Sequence, residues 1–257
     1  MTNYLKSNNI IEDKIKIGEI PAILFRPKDE RELIPTIIFY HGWSSNKEIQ
    51  RIRGFILASV GYQVIIPDAI YHGERKALDN YGGENAAKYF WDIIFSNIEE
   101  SDSIINEIIL NYNGDPKRIG VMGHSMGGIT AAGVFTHNPN LKTLAVLNGS
   151  CGWQDSNNRF KEFLEVDSYE RELEEKVNKM DPMNNLNLLI DRPIILLHGD
   201  SDTLVPIESQ ELFYENLKPL YNHKEKLKIM KYLNLNHFVT TDMMEQSIAW
   251  FYKYLLN

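Results

Sequence analysis

The chain has few of the features that mark secreted, membrane-spanning or nucleic-acid-binding proteins. Cys151 is its only cysteine, so no intrachain disulfide can form, which fits a reducing compartment. No stretch comes near the roughly 18 consecutive apolar residues of a membrane-spanning helix, and residues 1–15 contain neither an apolar run nor a small-residue cleavage site. Basic residues are in the minority, with 27 Lys and Arg against 35 Asp and Glu, a net charge of −8. We therefore expect a cytoplasmic protein that binds neither nucleic acid nor a membrane.

What the chain does contain is an alternation of two apolar patterns. Short runs rich in β-branched residues predict buried strands, and longer segments with apolar residues at helical spacing predict helices. The expected strands are 14–17, 20–26, 35–40, 63–66, 118–123, 144–147, 194–197 and 227–232, and the first two form an antiparallel pair. The expected helices are about 48–60, 85–113, 126–135, 207–217 and 242–255. The pattern predicts one α/β domain over residues 1–257, with a mostly parallel sheet covered by helices on both faces.

Residues 151–190 interrupt the alternation and form an expected helical insertion. This segment is highly charged, but spacings of three and four between apolar residues predict an amphipathic helix from Val166 to Met180. Its apolar stripe consists of Val166, Tyr169, Leu173, Val177 and Met180. Three interpretations stay open: a partial cap over a functional site, a contact between subunits, or an extra surface helix packed on its own domain.

The sequence Gly123-His124-Ser125-Met126-Gly127 lies between an expected strand and an expected helix. It fits the G-x-S-x-G nucleophile elbow, in which a serine occupies a sharp, strained strand-to-helix turn. A β-carbon at either glycine is expected to collide with neighbouring backbone. The turn is expected to expose the Ser125 hydroxyl and to place the Met126 N–H at a helix N-terminus, where it can stabilise an oxyanion. The alternative is a connecting loop without chemistry.

A serine hydroxyl needs a base within hydrogen-bond reach to act as a nucleophile at neutral pH. Four histidines follow Ser125, and His237 lies directly after the last expected strand and before the last helix. A base there can reach back over the edge of the sheet, so we expect His237 to be the base. Of the other three, His137 is expected on the elbow helix, His198 near a strand end in a structural role, and His223 in solvent.

The loop at residues 198–206 holds two candidates for the carboxylate that orients the base. Asp202 is favoured because it lies further from the strand and just before the next helix. Asp200 is expected to bond the turn and stays open as the alternative acid. His198 with these two carboxylates also suits a metal ion, but a triad explains the loop better, and we expect no metal and no cofactor.

The loop after the strand at 35–40 is expected to supply the second oxyanion donor, the backbone N–H of Trp43, alongside that of Met126. His41 in the same loop is expected to form structural hydrogen bonds. Three residues are expected to line the pocket, namely Tyr71, His72 and Trp153. For His72, packing or a loop hydrogen bond is an equal alternative.

Four motifs in this order resemble those of the α/β-hydrolases. They are His41-Gly42-Trp43, Pro67-Asp68 with Tyr71-His72-Gly73-Glu74-Arg75, the elbow, and His198-Gly199-Asp200-Ser201-Asp202. The branch is similar to bacterial cytosolic esterases related to dienelactone hydrolase and to the catalytic domain of prolyl oligopeptidases. The resemblance spans nearly the whole chain and implies a triad of Ser125, Asp202 and His237.

Two departures from these relatives narrow what the resemblance implies. Dienelactone hydrolases use a cysteine nucleophile, but the elbow here carries Ser125, so their substrate is not implied. Prolyl oligopeptidases carry a large N-terminal propeller, whereas residues 1–34 alone precede the first central strand here, so the resemblance favours an esterase over a peptidase.

The sequence therefore predicts a serine carboxylesterase that hydrolyses small-molecule carboxylic esters through an acyl-enzyme on Ser125. The same-chemistry alternatives are a peptidase, a thioesterase or another acyl hydrolase of this fold. A non-catalytic α/β-hydrolase that acts as a binding module is the alternative from another class, and such a protein is expected to lack part of the triad.

Overall fold

A computed structural model describes residues 6–28, 31–164 and 171–256. Within these ranges eight strands form one sheet in the order β1-β2-β4-β3-β5-β6-β7-β8. Their bounds are β1 Ile10–Ile17, β2 Ile20–Pro27, β3 Ile34–Tyr40, β4 Gln63–Pro67, β5 Gly114–His124, β6 Thr143–Leu147, β7 Ile194–Gly199 and β8 Leu227–Tyr232. β2 is antiparallel to both β1 and β4, and all other pairings are parallel. The expected mostly parallel sheet is confirmed, as is the antiparallel pair at its start.

Helices cover both faces of this sheet. Their bounds are α1 Arg51–Ser59, α2 Gly83–Asn111, α3 Met126–His137, α4 Trp153–Leu164, α5 Arg171–Met180, α6 Ile207–Leu217 and α7 Thr241–Phe251. Successive strand residues point to opposite faces, so Ile38 and Tyr40 of β3 pack with α2, α3 and α6, whereas Ile37 and Phe39 pack with α1 and α7. The prediction of a two-sided α/β fold is confirmed. No helix of the described ranges combines the length and apolar character needed to cross a bilayer.

The start of α1 differs from the expectation. The helix begins at Arg51 rather than near residue 48. The Lys47 N–H donates to the Asp68 carboxylate at 2.9 Å, and the Ile49 N–H donates to the Asn46 side chain at 3.0 Å. The second bond is local, whereas the first ties Lys47 to a loop 21 residues away, and both lie where the first helical turn was expected. At the other end of the chain, α7 continues into a π-helical turn at Tyr252–Leu256.

The insertion contains more helix than the sequence predicted. α4 was not expected, and a 3₁₀ turn at Pro182–Leu188 follows α5. The described part of the expected helix begins at Arg171, and the prediction for residues 166–170, including Val166 and Tyr169, lies outside the described residues. In α5, Val177 is buried and Leu173 and Met180 pack beside it on an apolar cluster that contains Trp91. This part of the stripe contacts the chain's own core.

Asp181 joins the two ends of the insertion. Its carboxylate accepts hydrogen bonds from the backbone N–H groups of Trp153, Gln154 and Met183 at 3.0, 2.8 and 2.9 Å. Burial raises the pKa of this carboxyl and outweighs the three backbone hydrogen bonds, which lower it. The start of α4 and the turn after α5 are therefore held by one side chain.

Candidate active site

Ser125 lies at the turn between β5 and α3, as the elbow motif predicts. Its φ of +60° and ψ of −126° are a strained conformation for a residue other than glycine. Backbone hydrogen bonds hold it there on both sides. The Ser125 N–H donates to the Leu147 carbonyl at 2.9 Å, and its carbonyl accepts from the N–H groups of Gly128 and Ile129 at 2.8 and 3.0 Å.

The two elbow glycines are required for close backbone contacts. A β-carbon on Gly123 would lie 2.1 Å from the Gly127 carbonyl oxygen, and one on Gly127 would lie 2.0 Å from the Tyr40 carbonyl oxygen. The predicted collision with backbone is confirmed. A β-carbon on Gly42 would lie 3.2 Å from the Ser125 β-carbon, so the loop after β3 passes directly beside the serine.

His41 fixes the conformation of that loop. Its Nδ1 lies 2.9 Å from the Gly42 carbonyl oxygen, and its Nε2 accepts the Ala69 N–H at 3.0 Å. Because the carbonyl only accepts, Nδ1 carries the proton and the ring is neutral. Burial, with the neighbouring His72, lowers the pKa of His41 to about 4. The predicted structural role of His41 is confirmed.

Two backbone N–H groups next to Ser125 are available as donors. The peptide bond between Gly42 and Trp43 is planar and trans, so the Trp43 N–H points away from the carbonyl that His41 binds. Within the described part of the chain this N–H has no hydrogen-bond partner. Met126 is the first residue of α3, so its N–H has no partner one turn earlier in the helix. Both are the predicted oxyanion donors.

The predicted acid and base are in direct contact. His237 Nδ1 lies 2.7 Å from Asp202 Oδ2, and Asp202 Oδ1 accepts the N–H groups of Leu204 and Val205, each at 2.9 Å. Burial would raise the pKa of the Asp202 carboxyl, but hydrogen bonds from His198, His237 and the Val205 N–H outweigh burial and hold this pKa well below its usual range. The carboxylate is therefore ionised at neutral pH.

His237 also lies beside the elbow. Its ring centroid is 4.9 Å from that of His124, the residue before Ser125. With Nδ1 directed at Asp202, Nε2 lies on the opposite side of the imidazole. Burial, followed by the nearby His237, lowers the pKa of His124 to about 3, so His124 is neutral at neutral pH.

Asp200 contacts the loop of His237 by another route. Its Oδ1 accepts the Asn234 N–H at 2.7 Å. A second link joins the Asn236 side chain to the Thr203 N–H at 3.0 Å. Asp200 therefore bonds backbone, as predicted, but the backbone belongs to the loop after β8 rather than to its own turn.

Asn148 is a site residue that the sequence analysis missed. It follows β6 with a φ of +43° and is fully buried. Its Oδ1 accepts the Gly199 N–H at 3.0 Å, and its Nδ2 donates to the Phe238 carbonyl at 2.9 Å. One side chain thus joins the end of β7 to the residue after His237. The available signal was an Asn-Gly pair directly after a central parallel strand.

The remaining histidines do not lie at Ser125. His137 Nε2 lies 2.9 Å from the Met180 carbonyl oxygen and joins α3 to the insertion. His223 is exposed, near Glu225. His198 is fully buried and contacts Asp202, with 3.3 Å between its Nε2 and Oδ2. The structural role predicted for His198 thus includes a contact that the sequence did not predict.

Of the predicted pocket residues, Tyr71 is half-buried and the other two are interior. His72 has no exposed surface, its Nδ1 lies 2.9 Å from the Ile70 carbonyl oxygen, and its ring stacks on Tyr81. Trp153 is also fully buried, with its ring 5.3 Å from that of Trp91. His72 and Trp153 are therefore both buried among neighbouring aromatic side chains, and their contribution to a substrate pocket stays a prediction.

A buried ion pair joins the loop after β3 to the loop after β4. Lys47 Nζ lies 2.6 Å from Asp68 Oδ2 and 2.6 Å from Glu74 Oε1. The side chains of Lys47 and Asp68 are 2% and 0% exposed. Burial lowers the pKa of Lys47, but the hydrogen bonds to these two carboxylates outweigh it and leave the pKa raised. Sequence reasoning missed this pair.

A cavity of about 750 Å³ lies between the β1–β2 hairpin and the loop that contains Tyr71. Its lining includes Lys14, Lys47 and Arg75, each paired with a carboxylate, and it includes none of the three predicted triad residues. It is therefore separate from the candidate site. In the described ranges no cluster of three or more His, Cys, Asp or Glu residues is arranged to hold a metal ion.

The sheet order, the elbow on β5 and the loops after β7 and β8 define an α/β hydrolase. Residues 35–169 match the alpha/beta hydrolase fold and residues 103–257 match the prolyl oligopeptidase family. The chain belongs to the prolyl oligopeptidase family of α/β hydrolases.

Relatives of similar length support this assignment. The chain is 30% identical over 250 residues to "Putative esterase YitV" of Bacillus subtilis, covering 93% of this chain and 97% of that protein. It is 27% identical over 250 residues to "Esterase YjfP" of Escherichia coli, with the same coverage of 93% and 97%. The solved structure of TT1662 from Thermus thermophilus has the same fold, with a TM-score of 0.78 at 17% identity over 96% of this chain and 99% of that one.

Proposed function

We propose that the protein is a serine carboxylesterase that hydrolyses small carboxylic esters through an acyl-enzyme on Ser125. The observation that carries the proposal is the 2.7 Å contact between His237 and Asp202, made beside a serine in a strained elbow. Two relatives of nearly equal length with esterase in their names support the ester as substrate class.

In the acylation step the Ser125 hydroxyl attacks the ester carbonyl carbon while His237 Nε2 takes its proton. The carbonyl oxygen becomes an oxyanion and accepts hydrogen bonds from the N–H groups of Trp43 and Met126. Asp202 stays ionised, holds the Nδ1–H tautomer of His237 and stabilises the imidazolium. The tetrahedral intermediate then expels the alkoxide, which receives the proton from His237 and leaves as the alcohol.

In the deacylation step water attacks the acyl carbon and gives a proton to His237 Nε2. The same two N–H groups bind the second oxyanion. Collapse of this intermediate releases the carboxylic acid, and the proton on His237 returns to the Ser125 oxygen. The chemistry uses only groups of this chain and water.

The test combines turnover with covalent labelling. Purified protein is assayed on p-nitrophenyl esters of rising acyl length, and a fluorophosphonate probe is reacted with the wild type and with Ser125→Ala. We expect ester turnover, labelling of Ser125 located by peptide mass spectrometry, and loss of both in the variant, which binding alone would not produce. An unlabelled Ser125 with no ester turnover would reject the proposal and favour a non-catalytic module.

A peptidase is the second candidate, because the family that the chain matches is that of prolyl oligopeptidase. An amide would be cleaved by the same residues, but its amine is a poorer leaving group than the alcohol of an ester and must be protonated to leave. Matched ester, thioester and amide substrates with one acyl group separate the candidates. We expect kcat/KM to be highest for the ester, and a higher value for the amide would select the peptidase.

A further inference from the structure

His198 contacts the same carboxylate oxygen as His237. It lies near the end of β7, and its Nε2 is 3.3 Å from Asp202 Oδ2, to which His237 Nδ1 is bonded at 2.7 Å. The side chains of His198 and Asp202 are both 0% exposed, so water does not compete for this contact. One oxygen of Asp202 is therefore shared by two imidazole rings.

The second partner of His198 determines which ring nitrogen carries the proton. His198 Nε2 also lies 2.8 Å from the Val205 carbonyl oxygen, which only accepts hydrogen bonds. The proton is therefore on Nε2 and is donated to the Val205 carbonyl, and the same nitrogen lies 3.3 Å from Asp202 Oδ2. Nδ1 is buried and has no hydrogen-bond partner in the described part of the chain. His198 thus presents an N–H toward Asp202 from a position held by Val205, whereas His237 must gain and lose a proton during the proposed reaction.

Asp202 is held on all sides by this arrangement. Its Oδ1 accepts two backbone N–H groups, from Leu204 and Val205. Its Oδ2 accepts from His237 and lies 3.3 Å from the Nε2 atom of His198. Without His198, no second imidazole N–H would face the buried Oδ2. A carboxylate with fewer fixed donors is less well oriented toward the base.

We infer that His198 is a positioning residue for the reaction: it acts through Asp202, fixing the Oδ2 atom toward His237 Nδ1, and does not touch the substrate. This inference rests on the proposed function of the triad. If His198 only stabilised the β7 loop, its replacement would change stability but not turnover per active site. A positioning role predicts that turnover changes as well.

The test compares three replacements of His198. His198→Gln keeps an amide N–H near the position of Nε2. His198→Leu keeps most of the volume and removes the donor. His198→Asn has an amide N–H, but the side chain is too short for it to reach Asp202. This variant therefore also lacks a donor near Asp202, and it replaces the leucine variant if that one does not fold. For each variant kcat and KM are measured per active site, counted by fluorophosphonate titration, together with the thermal midpoint.

We expect the leucine and asparagine variants to lose roughly ten- to a hundred-fold in kcat, with KM within about two-fold of the wild type, because the N–H that faces the charged carboxylate is lost. The glutamine variant should recover most of this kcat. A purely structural role predicts a lower thermal midpoint with wild-type kcat per titrated site in all three variants. That result would overturn the inference.

A proton NMR measurement separates this inference from the proposed function. The proton between His237 Nδ1 and Asp202 Oδ2 lies in a short charge-assisted hydrogen bond and should resonate far downfield. We expect the signal in the wild type and in His198→Gln, and its broadening or loss in the two donor-free variants. If the signal depends on His198 in this way but the wild type turns over no ester, the proposed function alone is rejected. An unchanged signal in the donor-free variants would reject the positioning role.

Discussion

Asp202 Oδ2 lies 2.7 Å from His237 Nδ1, whereas the carboxylate of Asp200, two residues earlier, accepts a backbone N–H from Asn234. The two aspartates of one loop thus contact the same neighbouring loop in different ways. One bonds a side chain that can carry a proton, and the other bonds main chain. Replacing one aspartate should therefore affect the protein differently from replacing the other.

We expect Asp202→Asn to lower turnover by roughly a thousand-fold or more, because an amide favours the wrong tautomer of His237. Asp200→Asn is the matched control. It should lower the free energy of unfolding by about 1 kcal/mol through a weaker bond to Asn234 and leave most turnover. The measurements are kcat and urea unfolding for both variants. If Asp200→Asn abolished turnover while Asp202→Asn only lowered stability, the assignment of the acid would be reversed.

The elbow gives a second prediction, about folding. Gly127→Ala would place a β-carbon 2.0 Å from the Tyr40 carbonyl oxygen, so we expect an unfolding free energy lower by about 3 kcal/mol or more, or insoluble protein. Gly82→Ala is the control, because its β-carbon would first meet the Asn80 side chain at 3.2 Å in exposed backbone. That change should stay within about 0.5 kcal/mol. Chemical denaturation measures both, and equal effects would contradict the close packing of α3 on β3.

The features that the sequence predicted are local in the chain. The elbow residues are contiguous, and the strand before Ser125 and the helix after it follow from apolar residues on either side of the glycines. Chain order along a parallel sheet was enough to propose His237 and Asp202, because both follow strand ends at the same edge. The expected start of α1 was wrong by three residues, since the Lys47 N–H binds Asp68 and periodicity cannot show a bond 21 residues away.

The features that the sequence did not predict depend on distant side-chain contacts. Asn148 bonds residues 51 and 90 positions further along the chain. His198 Nε2 bonds the Val205 carbonyl and lies 3.3 Å from Asp202 Oδ2, and the residue types do not identify these contacts in advance. α4 was missed because two of its described buried residues are polar. Ser156 and Asn157 lie three and four positions after Trp153 on the buried face, so that face is not marked by apolar residues alone.

Buried histidines predict how stability depends on pH. The pKa values of His41 and His124 are lowered to about 4 and about 3 from an ordinary value of 6.5. Between about pH 6.5 and pH 4 the unfolded chain binds protons that the folded chain does not, so stability falls as the pH is lowered. Each histidine contributes up to about 1.4 kcal/mol per pH unit. The pKa of Asp202 is also lowered, but from an ordinary value of 3.8, so its stabilising contribution is lost only at more acidic pH.

The variant His124→Phe isolates one of these contributions, because it keeps a ring and removes the titrating group. We expect it to have a smaller loss of unfolding free energy than the wild type between pH 6.5 and pH 4, measured by urea denaturation at several pH values. His223→Gln, at an exposed position, should leave the slope unchanged. A wild-type slope in His124→Phe would show that the ring of His124 is accessible to protons in the folded state.

The ion pair of Lys47 with Asp68 gives the last prediction. Asp68 accepts the Lys47 N–H at 2.9 Å and its ammonium at 2.6 Å, and it accepts the Glu74 N–H at 3.0 Å. Asp68→Asn keeps the size of the side chain but removes the buried negative charge, so Lys47 loses its interior counterion. Breaking one side of a buried pair costs about 3–5 kcal/mol, which urea denaturation will measure.

Glu74→Gln is the control, because Glu74 contacts the same ammonium from a side chain that is 63% exposed. An exposed partner contributes at most about 1 kcal/mol, so this variant should remain close to the wild type. Lys47 belongs to the segment that begins at Gly42 and Trp43, and we therefore expect Asp68→Asn also to lower kcat per titrated active site, whereas Glu74→Gln should not. Equal losses in the two variants would contradict this prediction, because the exposed carboxylate would then contribute as much as the buried one to holding this segment against the loop after β4.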